Sequence, residues 1–171
     1  MNWKTCFALL ASLSVAALQV QELHQEYERA FDFSKYKTFS WVPSEEIPLA
    51  AHAPEISPKE ADAEIRSAIE KVLAAKGFRK AENGSADFQV NYFGIVTARL
   101  KEEKVPYSLS ETFSPWHFAR EGKLTIDVVD GKQQILVWRG WSVTTVEARG
   151  EQVRQTIREV VHKTLQPFPP K

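Results

Sequence analysis

The chain lacks most of the features by which a catalytic or metal-binding protein shows itself in sequence. Its 171 residues include one cysteine, which excludes a disulfide within the chain and a metal site built from several thiolates. The seven glycines are scattered, and none falls in a G-x-G-x-x-G or Walker pattern for holding phosphates. The four histidines, His24, His52, His117 and His162, show no ligand spacing among themselves. We therefore predict no catalytic residue, no metal ligand and no cofactor.

A surplus of charge of either sign is absent as well. Twenty-two Lys and Arg balance 22 Asp and Glu, so the net charge is zero when histidine is neutral. A nucleic-acid-binding protein usually carries a basic surplus or a basic stripe. The densest basic cluster here, residues 99–104, alternates its basic residues with Glu102 and Glu103. We therefore predict no nucleic-acid partner.

The composition, 43% hydrophobic and 26% charged, is typical of a folded globular domain.

The N-terminus is the sharpest compositional feature of the chain. Lys4 precedes an uncharged apolar run at residues 6–18, CFALLASLSVAAL. As a helix this run spans roughly 20 Å, less than the ~30 Å hydrocarbon core of a bilayer. Val15 and Ala17 suit the two small-residue positions of a signal-peptidase site. The pattern predicts a signal peptide over residues 1–17, cleaved near Ala17, and a periplasmic or secreted protein with no transmembrane span after cleavage. A buried N-terminal helix or an uncleaved anchor is the alternative.

The position of the lone cysteine bears on membrane anchoring. A bacterial lipoprotein carries its cysteine immediately after the apolar run, because that thiol becomes the lipidated N-terminus. Cys6 instead precedes the run, and residues 18–21 (LQVQ) contain no cysteine. We therefore predict that the chain is not lipidated, and that the mature protein has no thiol.

Two helices are predicted from their ends and their apolar spacing. Ser57 as N-cap, Pro58 at the first helical position and Glu60 at the third form a capping box. Gly77 suits the left-handed residue that ends a helix. The second helix is predicted over about 150–165, before a group of prolines. The apolar stripes are Ala61, Ile65, Ile69, Val72 and Leu73 in the first helix, and Val153, Ile157, Val160, Val161 and Leu165 in the second.

Strands account for most of the remaining pattern. We predict an edge strand at 21–29, a short strand at 37–42, a central strand at about 86–98, and a hairpin of 123–129 with 132–145. A tight helical turn is predicted at 32–36, a proline-rich loop at 43–56 and a long irregular excursion, with an irregular hairpin as one possible form, at 99–121. The order predicts one α+β domain over residues 22–170, with a largely antiparallel sheet of about five strands and two main helices packed on one face.

The turn of the predicted hairpin leaves its register open. A two-residue turn at Asp130-Gly131 pairs Ile126 with Ile135. A longer loop shifts the register and puts Leu136 and Trp138 on that face instead.

Two aspartates near this turn invite a catalytic interpretation that their spacing does not favour. Asp127 and Asp130 are three residues apart, which on a strand places them on opposite faces. We expect Asp130 to begin the turn, and Asp127 to bond locally or to pair with Arg139 or a lysine.

Aromatic side chains supply the candidates for a binding surface. Tyr92, Trp116 and Trp138 come from the central strands and the long excursion. If the sheet face away from the helices is open, Trp138 can line an apolar groove for a ligand or partner. Packing in the core is the competing interpretation for Trp138 and Trp141.

The hairpin sequence GKLTIDVVD at 122–130, followed by LVWRG at 136–140, resembles the hallmark of the bacterial domain of unknown function 4136 family. Other segments agree in the family's order: DFSKYKTFSW at 32–41, KGF at 76–78 with ADF at 86–88, and FPP at 168–170. The resemblance implies a small exported envelope protein without an established activity, and it transfers no catalytic residues. Many members are lipoproteins, but this chain lacks their lipidation cysteine, so anchoring is not carried over.

These observations together predict an exported, non-enzymatic protein of the bacterial cell envelope. Its partner is expected to be an envelope protein or another cell-envelope component. The alternative is a carrier of a small apolar ligand on an aromatic-lined sheet face. A third possibility, an uncharacterised enzyme, requires a cleft with converging polar groups and perturbed pKa values.

The predicted signal peptide has a direct test. Protein recovered from the periplasm or medium of the producing bacterium should begin near Leu18 and should not react with maleimide, because Cys6 is removed. Intact-mass measurement reports both features. An Ala17→Tyr control blocks the cleavage site and should retain the thiol. Extracellular or periplasmic protein that keeps Cys6 would contradict cleavage.

Overall fold

A computed structural model describes residues 20–43, 49–50, 56–82, 85–102, 116–146 and 151–170. These residues form the predicted α+β fold, with two α-helices, one short 3-10 helix and seven strands. The helices are α1 Pro58–Ala75 and α2 Glu151–Leu165, and the 3-10 helix is Phe33–Lys35. The strands are β1 Val20–Tyr27, β2 Thr38–Trp41, β3 Leu49–Ala50, β4 Arg79–Lys80, β5 Phe88–Glu102, β6 Trp116–Asp130 and β7 Leu136–Thr145.

The sheet is mixed rather than purely antiparallel: its long strands pair antiparallel, as predicted, and its short strands pair in parallel. Its order is β1-β7-β6-β5-β2-β4, and β3 pairs with β5 further along the edge that β2 occupies. Strands β1, β7, β6 and β5 are antiparallel, whereas β2, β3 and β4 are joined in parallel. The prediction of about five strands is therefore corrected to seven. Strands β3 and β4 have two residues each, too few to show a period, and α1 supplies the crossover that parallel pairing needs.

The predicted helix ends are confirmed. The Glu60 amide donates to the Ser57 hydroxyl oxygen at 3.2 Å, and the Ser57 amide donates to the Glu60 carboxylate at 3.0 Å. This capping box satisfies two amides that have no partner inside the helix. Gly77 follows α1 with a φ of +92°, the left-handed conformation predicted for it.

The core lies between one face of the sheet and the two helices. Strands β5, β6 and β7 bury alternate side chains on this face, namely Phe88, Val90, Tyr92, Leu124, Ile126, Val128 and Trp138. The helices cover them with Ile65, Ala68, Ile69 and Leu73 from α1 and Val160, Val161 and Leu165 from α2. Of the predicted helical stripes, Val72 and Ile157 are only partly buried. Among the described residues, neither helix has the length and apolar content to cross a membrane.

The segment after α2 returns to this core through Phe168, which is 1% exposed. Its ring centroid lies 5.1 Å from that of Trp138 and 5.7 Å from that of Phe88. The Trp138 indole lies directly over Gly140, and a Cβ at position 140 would overlap the ring. The indole nitrogen donates to Gln25 Oε1 at 3.2 Å, which ties edge strand β1 to the core.

The β6–β7 hairpin adopts the longer of the two predicted loops. Ile126 lies opposite Gly140 rather than Ile135, so the two-residue turn is wrong. Trp138 is buried on the core face, as the longer loop predicts, whereas Leu136 is 46% exposed. A register shift after Val128 explains this difference, because a bulge reverses the alternation of faces.

Asp130 is the physical reason for the longer loop. Its Oδ1 accepts the amides of Lys132 and Gln133 at 3.0 and 2.6 Å. The Asp130 amide itself donates to the Ile135 carbonyl at 2.9 Å, which closes the loop at residue 135. The Asp130 side chain therefore favours a loop through residues 131–135, because a two-residue turn would not form these hydrogen bonds.

The predicted excursion at 99–121 is partly corrected. β5 continues to Glu102 and β6 begins at Trp116, and the two strands stay in register to that pair. Residues 103–115 lie outside the described residues, as do residues 1–19 with the predicted signal peptide. The charged side chains at 99–102 interrupt the alternation of polar and apolar residues by which a strand is predicted. Backbone pairing does not depend on this alternation, so the strand continues through them. Within the predicted proline-rich loop, Leu49–Ala50 is a short strand.

The overlap at Gly140 gives a stability prediction. Gly140→Ala should lower the free energy of unfolding by about 1–3 kcal/mol, because the new methyl group displaces the Trp138 ring. In a Trp138→Phe background the same substitution should cost less, since the smaller ring leaves room. Urea unfolding of the four proteins in this double-mutant cycle measures the coupling. Equal costs in both backgrounds would show that the ring does not impose the glycine.

Candidate functional site

The sheet face opposite the helices carries side chains with nothing packed over them from α1 or α2. We call it the open face, and its middle consists of three cross-strand rows. These rows are Asn91–Asp127–Arg139–Glu26, Phe93–Thr125–Trp141–His24 and Ile95–Lys123–Val143–Glu22. Phe93 and Ile95 are 45% and 47% exposed although they belong to the central strand β5. Large apolar side chains that stay exposed on a central strand mark this face as a candidate interaction surface.

Trp141 is the largest side chain of the open face, and its neighbours hold it in place. The His24 ring stacks on it from β1, with centroids 5.0 Å apart and planes 14° from parallel. On β6, Lys123 Nζ lies 5.8 Å from the indole centroid, within the range of a cation–π contact. The half-buried indole is thus fixed in orientation between an imidazole and an ammonium group.

The centre of the next row is a neutralised ion pair. Arg139 donates from Nε and Nη2 to the two carboxylate oxygens of Asp127, each at 2.7 Å. This bidentate bond raises the pKa of the Arg139 guanidinium above its usual value. The predicted structural role of Asp127 is confirmed, with arginine rather than lysine as its partner. Because both carboxylate oxygens are occupied, Asp127 is poorly placed to act as a general base.

A depression of about 410 Å³ lies at the end of the sheet where the β6–β7 loop begins. The charged and phenolic residues in its wall are Asp32, Lys35, Tyr36, Asp87, Asp130 and Lys132. Three carboxylates near one tyrosine resemble a catalytic arrangement, so the bonds that each group makes decide what the depression can do.

The two inner carboxylates of this depression hold backbone. Asp87 Oδ2 accepts the amides of Lys37 and Thr38, each at 2.9 Å, and these bonds lower the pKa of Asp87. Asp130 Oδ2 accepts the Tyr36 hydroxyl at 3.0 Å while Oδ1 fixes the loop. Burial, together with Asp130, raises the pKa of Tyr36, which keeps its hydroxyl protonated. The depression is therefore a structural junction that joins β2 to the hairpin.

Tyr92 also has a structural partner. Its hydroxyl donates to Asp62 Oδ1 at 2.5 Å, and Arg66 Nε donates to the same oxygen at 2.9 Å. The Arg66 guanidinium lies 4.5 Å from the centroid of the Trp41 ring. Burial raises the pKa of Tyr92, and the bond to Asp62 adds to this effect. The network ties α1 to β2 and β5.

The structure separates the predicted site residues. Tyr92 and Trp138 are fully buried on the helix-covered face, so they are core residues in this conformation, and binding at them stays a prediction. Trp116 begins β6, and its side chain lies outside the described part. The sequence does not distinguish Phe93 and Ile95 as exposed, because both faces of β5 are partly apolar. Within the described ranges, no three His, Cys, Asp or Glu side chains come together to hold a metal ion.

Several solved bacterial structures share this fold. The PelC dodecamer from Paraburkholderia phytofirmans matches with a TM-score of 0.51 and 15% identity, over 88% of this chain and 99% of PelC. A PDZ domain protein from Parabacteroides distasonis matches with a TM-score of 0.58 and 14% identity, over 87% of this chain. This chain spans 35% of the length of that protein. At such identities the likeness shows the fold alone, and no curated protein matches the sequence.

Family membership rests on more than the fold. A DUF4136 family protein from Bacteroides thetaiotaomicron matches with a TM-score of 0.55 and 16% identity, over 86% of this chain and 95% of that one. The sequence profile of the same family, a domain of unknown function, matches residues 23–170. That span contains the hairpin, the aromatic core and all of the open face except Glu22. The chain belongs to the DUF4136 family.

Proposed function

We propose that this chain is an exported, non-enzymatic binding module of the bacterial cell envelope, which holds another envelope protein against its open face. The observation that carries the proposal is the exposure of Phe93 and Ile95 on the face that also holds the fixed ring of Trp141. Burying exposed apolar surface contributes about 25 cal/mol per Å². The charged groups around these side chains, Lys123 and Arg139, suit the polar rim of a protein interface.

The non-enzymatic part of the proposal rests on how the acidic groups are used. General acid–base catalysis needs a group that can exchange a proton with substrate. Arg139 occupies both oxygens of Asp127, backbone amides occupy Asp87, and Asp130 bonds Tyr36 and its own loop. These carboxylates stabilise the fold, which favours a binding role over a catalytic one.

The location in the envelope is the remaining part of the proposal. It rests on the apolar run at residues 6–18, with Val15 and Ala17 near its end, and on the resemblance to an exported family. PelC, which shares the fold, is a dodecamer. A second copy of this chain is therefore the first competing occupant of the open face.

A photo-crosslinking experiment tests the open face directly. A benzophenone amino acid at position 93 should trap a distinct envelope protein in living cells, because this side chain is expected to be buried against the partner. The matched control places the same probe at position 23 on the helix-covered side of the sheet, where Leu23 is 43% exposed and Phe93 is 45% exposed. Mass spectrometry of the adducts identifies the partner.

The contribution of the apolar contact is measured by Phe93→Ser against Leu23→Ser. With the trapped partner purified, the first variant should bind about tenfold more weakly, equivalent to ~1.4 kcal/mol, and the second should bind like the unaltered protein. Adducts that contain only a second copy of the chain would show that the open face mediates self-association and does not bind another envelope protein. Equal trapping at both positions, or none at position 93, would refute the proposal.

A further inference from the structure

A cavity of about 100 Å³ lies between the helices and the sheet, on the side opposite the open face. Its walls include Ala61 and Ile65 of α1 and Val153 and Val160 of α2. It is not sealed from solvent. Protein interiors leave few voids larger than a water molecule, so a space of this size in the core needs a cause.

The cause is the small size of the side chains that the sheet contributes here. On the core face, Gly94 pairs with Leu124, and the next row places Gly122 between Val96 and Thr144. One row nearer the aromatic core, the same face carries Tyr92 beside Ile126. The sheet thus loses side-chain volume toward this end while the helices continue above it.

The division of the hydrophobic core marks the same position. On the side facing the cavity, the main cluster includes Ile65 and Leu124. A separate small cluster consists of Ile56, Ala61 and Val153. The cavity has walls from both clusters. It therefore occupies the gap that keeps the two clusters apart.

The chemistry of the wall selects an apolar occupant. The Thr156 hydroxyl donates to the Gln152 carbonyl of its own helix at 2.9 Å, so it is satisfied without a ligand. Lys123, the charged residue of the described wall, directs its ammonium group to the Trp141 ring on the open face. A buried water needs two to four polar partners, which the described residues of this wall do not supply, and apolar cavities stay dry or bind apolar molecules.

We propose that this cavity binds the terminal hydrocarbon segment of an alkyl or acyl chain, with the polar end of that molecule left outside. A cavity of about 150 Å³ accommodates benzene, so the smaller space here suits the narrow end of a linear chain. The opening to solvent allows the rest of the molecule to remain outside the core. This binding site is separate from the open face, so either proposal can fail without the other.

Methyl NMR locates the binding without any substitution. Dodecanoate added to the full chain should shift the methyl resonances of Ile65, Val153 and Val160 saturably. The methyl resonances of Val90 and Val128, in the main core, should stay unchanged. A lysophospholipid with the same acyl chain distinguishes the source: equal shifts indicate that any acyl chain binds, and shifts with dodecanoate alone indicate a free fatty acid.

A cavity-filling variant then tests the volume. Ala61→Leu places three more carbons in the space and should weaken dodecanoate binding at least tenfold in calorimetric titration. Ala63→Leu adds the same atoms to the exposed side of α1 and should leave the affinity within twofold. Unchanged affinity in a folded Ala61→Leu variant would overturn the proposal. Absence of shifts at the three wall methyls would overturn it as well, even if that variant fails to fold.

Discussion

Trp138 can lie flat against the sheet only because Gly140 follows it on the same face. A side chain at position 140 would occupy the space of the indole. The indole then contacts Phe168, which brings the chain beyond α2 back onto the sheet, and Phe168 packs on Phe88. The position of α2 and the closure of the core at this end both depend on this stack of rings. At the other end of the same face, no large ring among the described side chains lines the cavity above Gly94 and Gly122.

The two faces of the sheet therefore have different chemistry and support different roles. The covered face holds the aromatic stack and the cavity, which suits an apolar chain that enters between sheet and helices. The open face holds Phe93 and Ile95 in contact with water and a neutralised Asp127–Arg139 pair in the row next to Phe93. Apolar area with few unpaired charges is what a protein partner can cover at low desolvation cost.

The candidate site could be predicted only in part. The choice between packing and binding for Trp138 depends on which face carries the helices, and a strand with apolar residues on both faces does not reveal this. Asp127 was assignable to a structural role because its spacing from Asp130 puts the two on opposite faces of a strand. Its bond to Arg139 depends on the hairpin register, which the Asp130 side chain sets through the loop amides.

By itself the sequence determines the local features of this protein. The capping box at Ser57, the left-handed Gly77 and the central strand β5 follow from bonds and alternation within a few residues of each position. The family follows from motifs in order along residues 23–170. Only the tertiary structure decides the parallel pairing of β2 and β4, the exposure of Phe93 and the cavity. These depend on contacts between residues far apart in the chain, and such contacts leave no periodic pattern in the sequence.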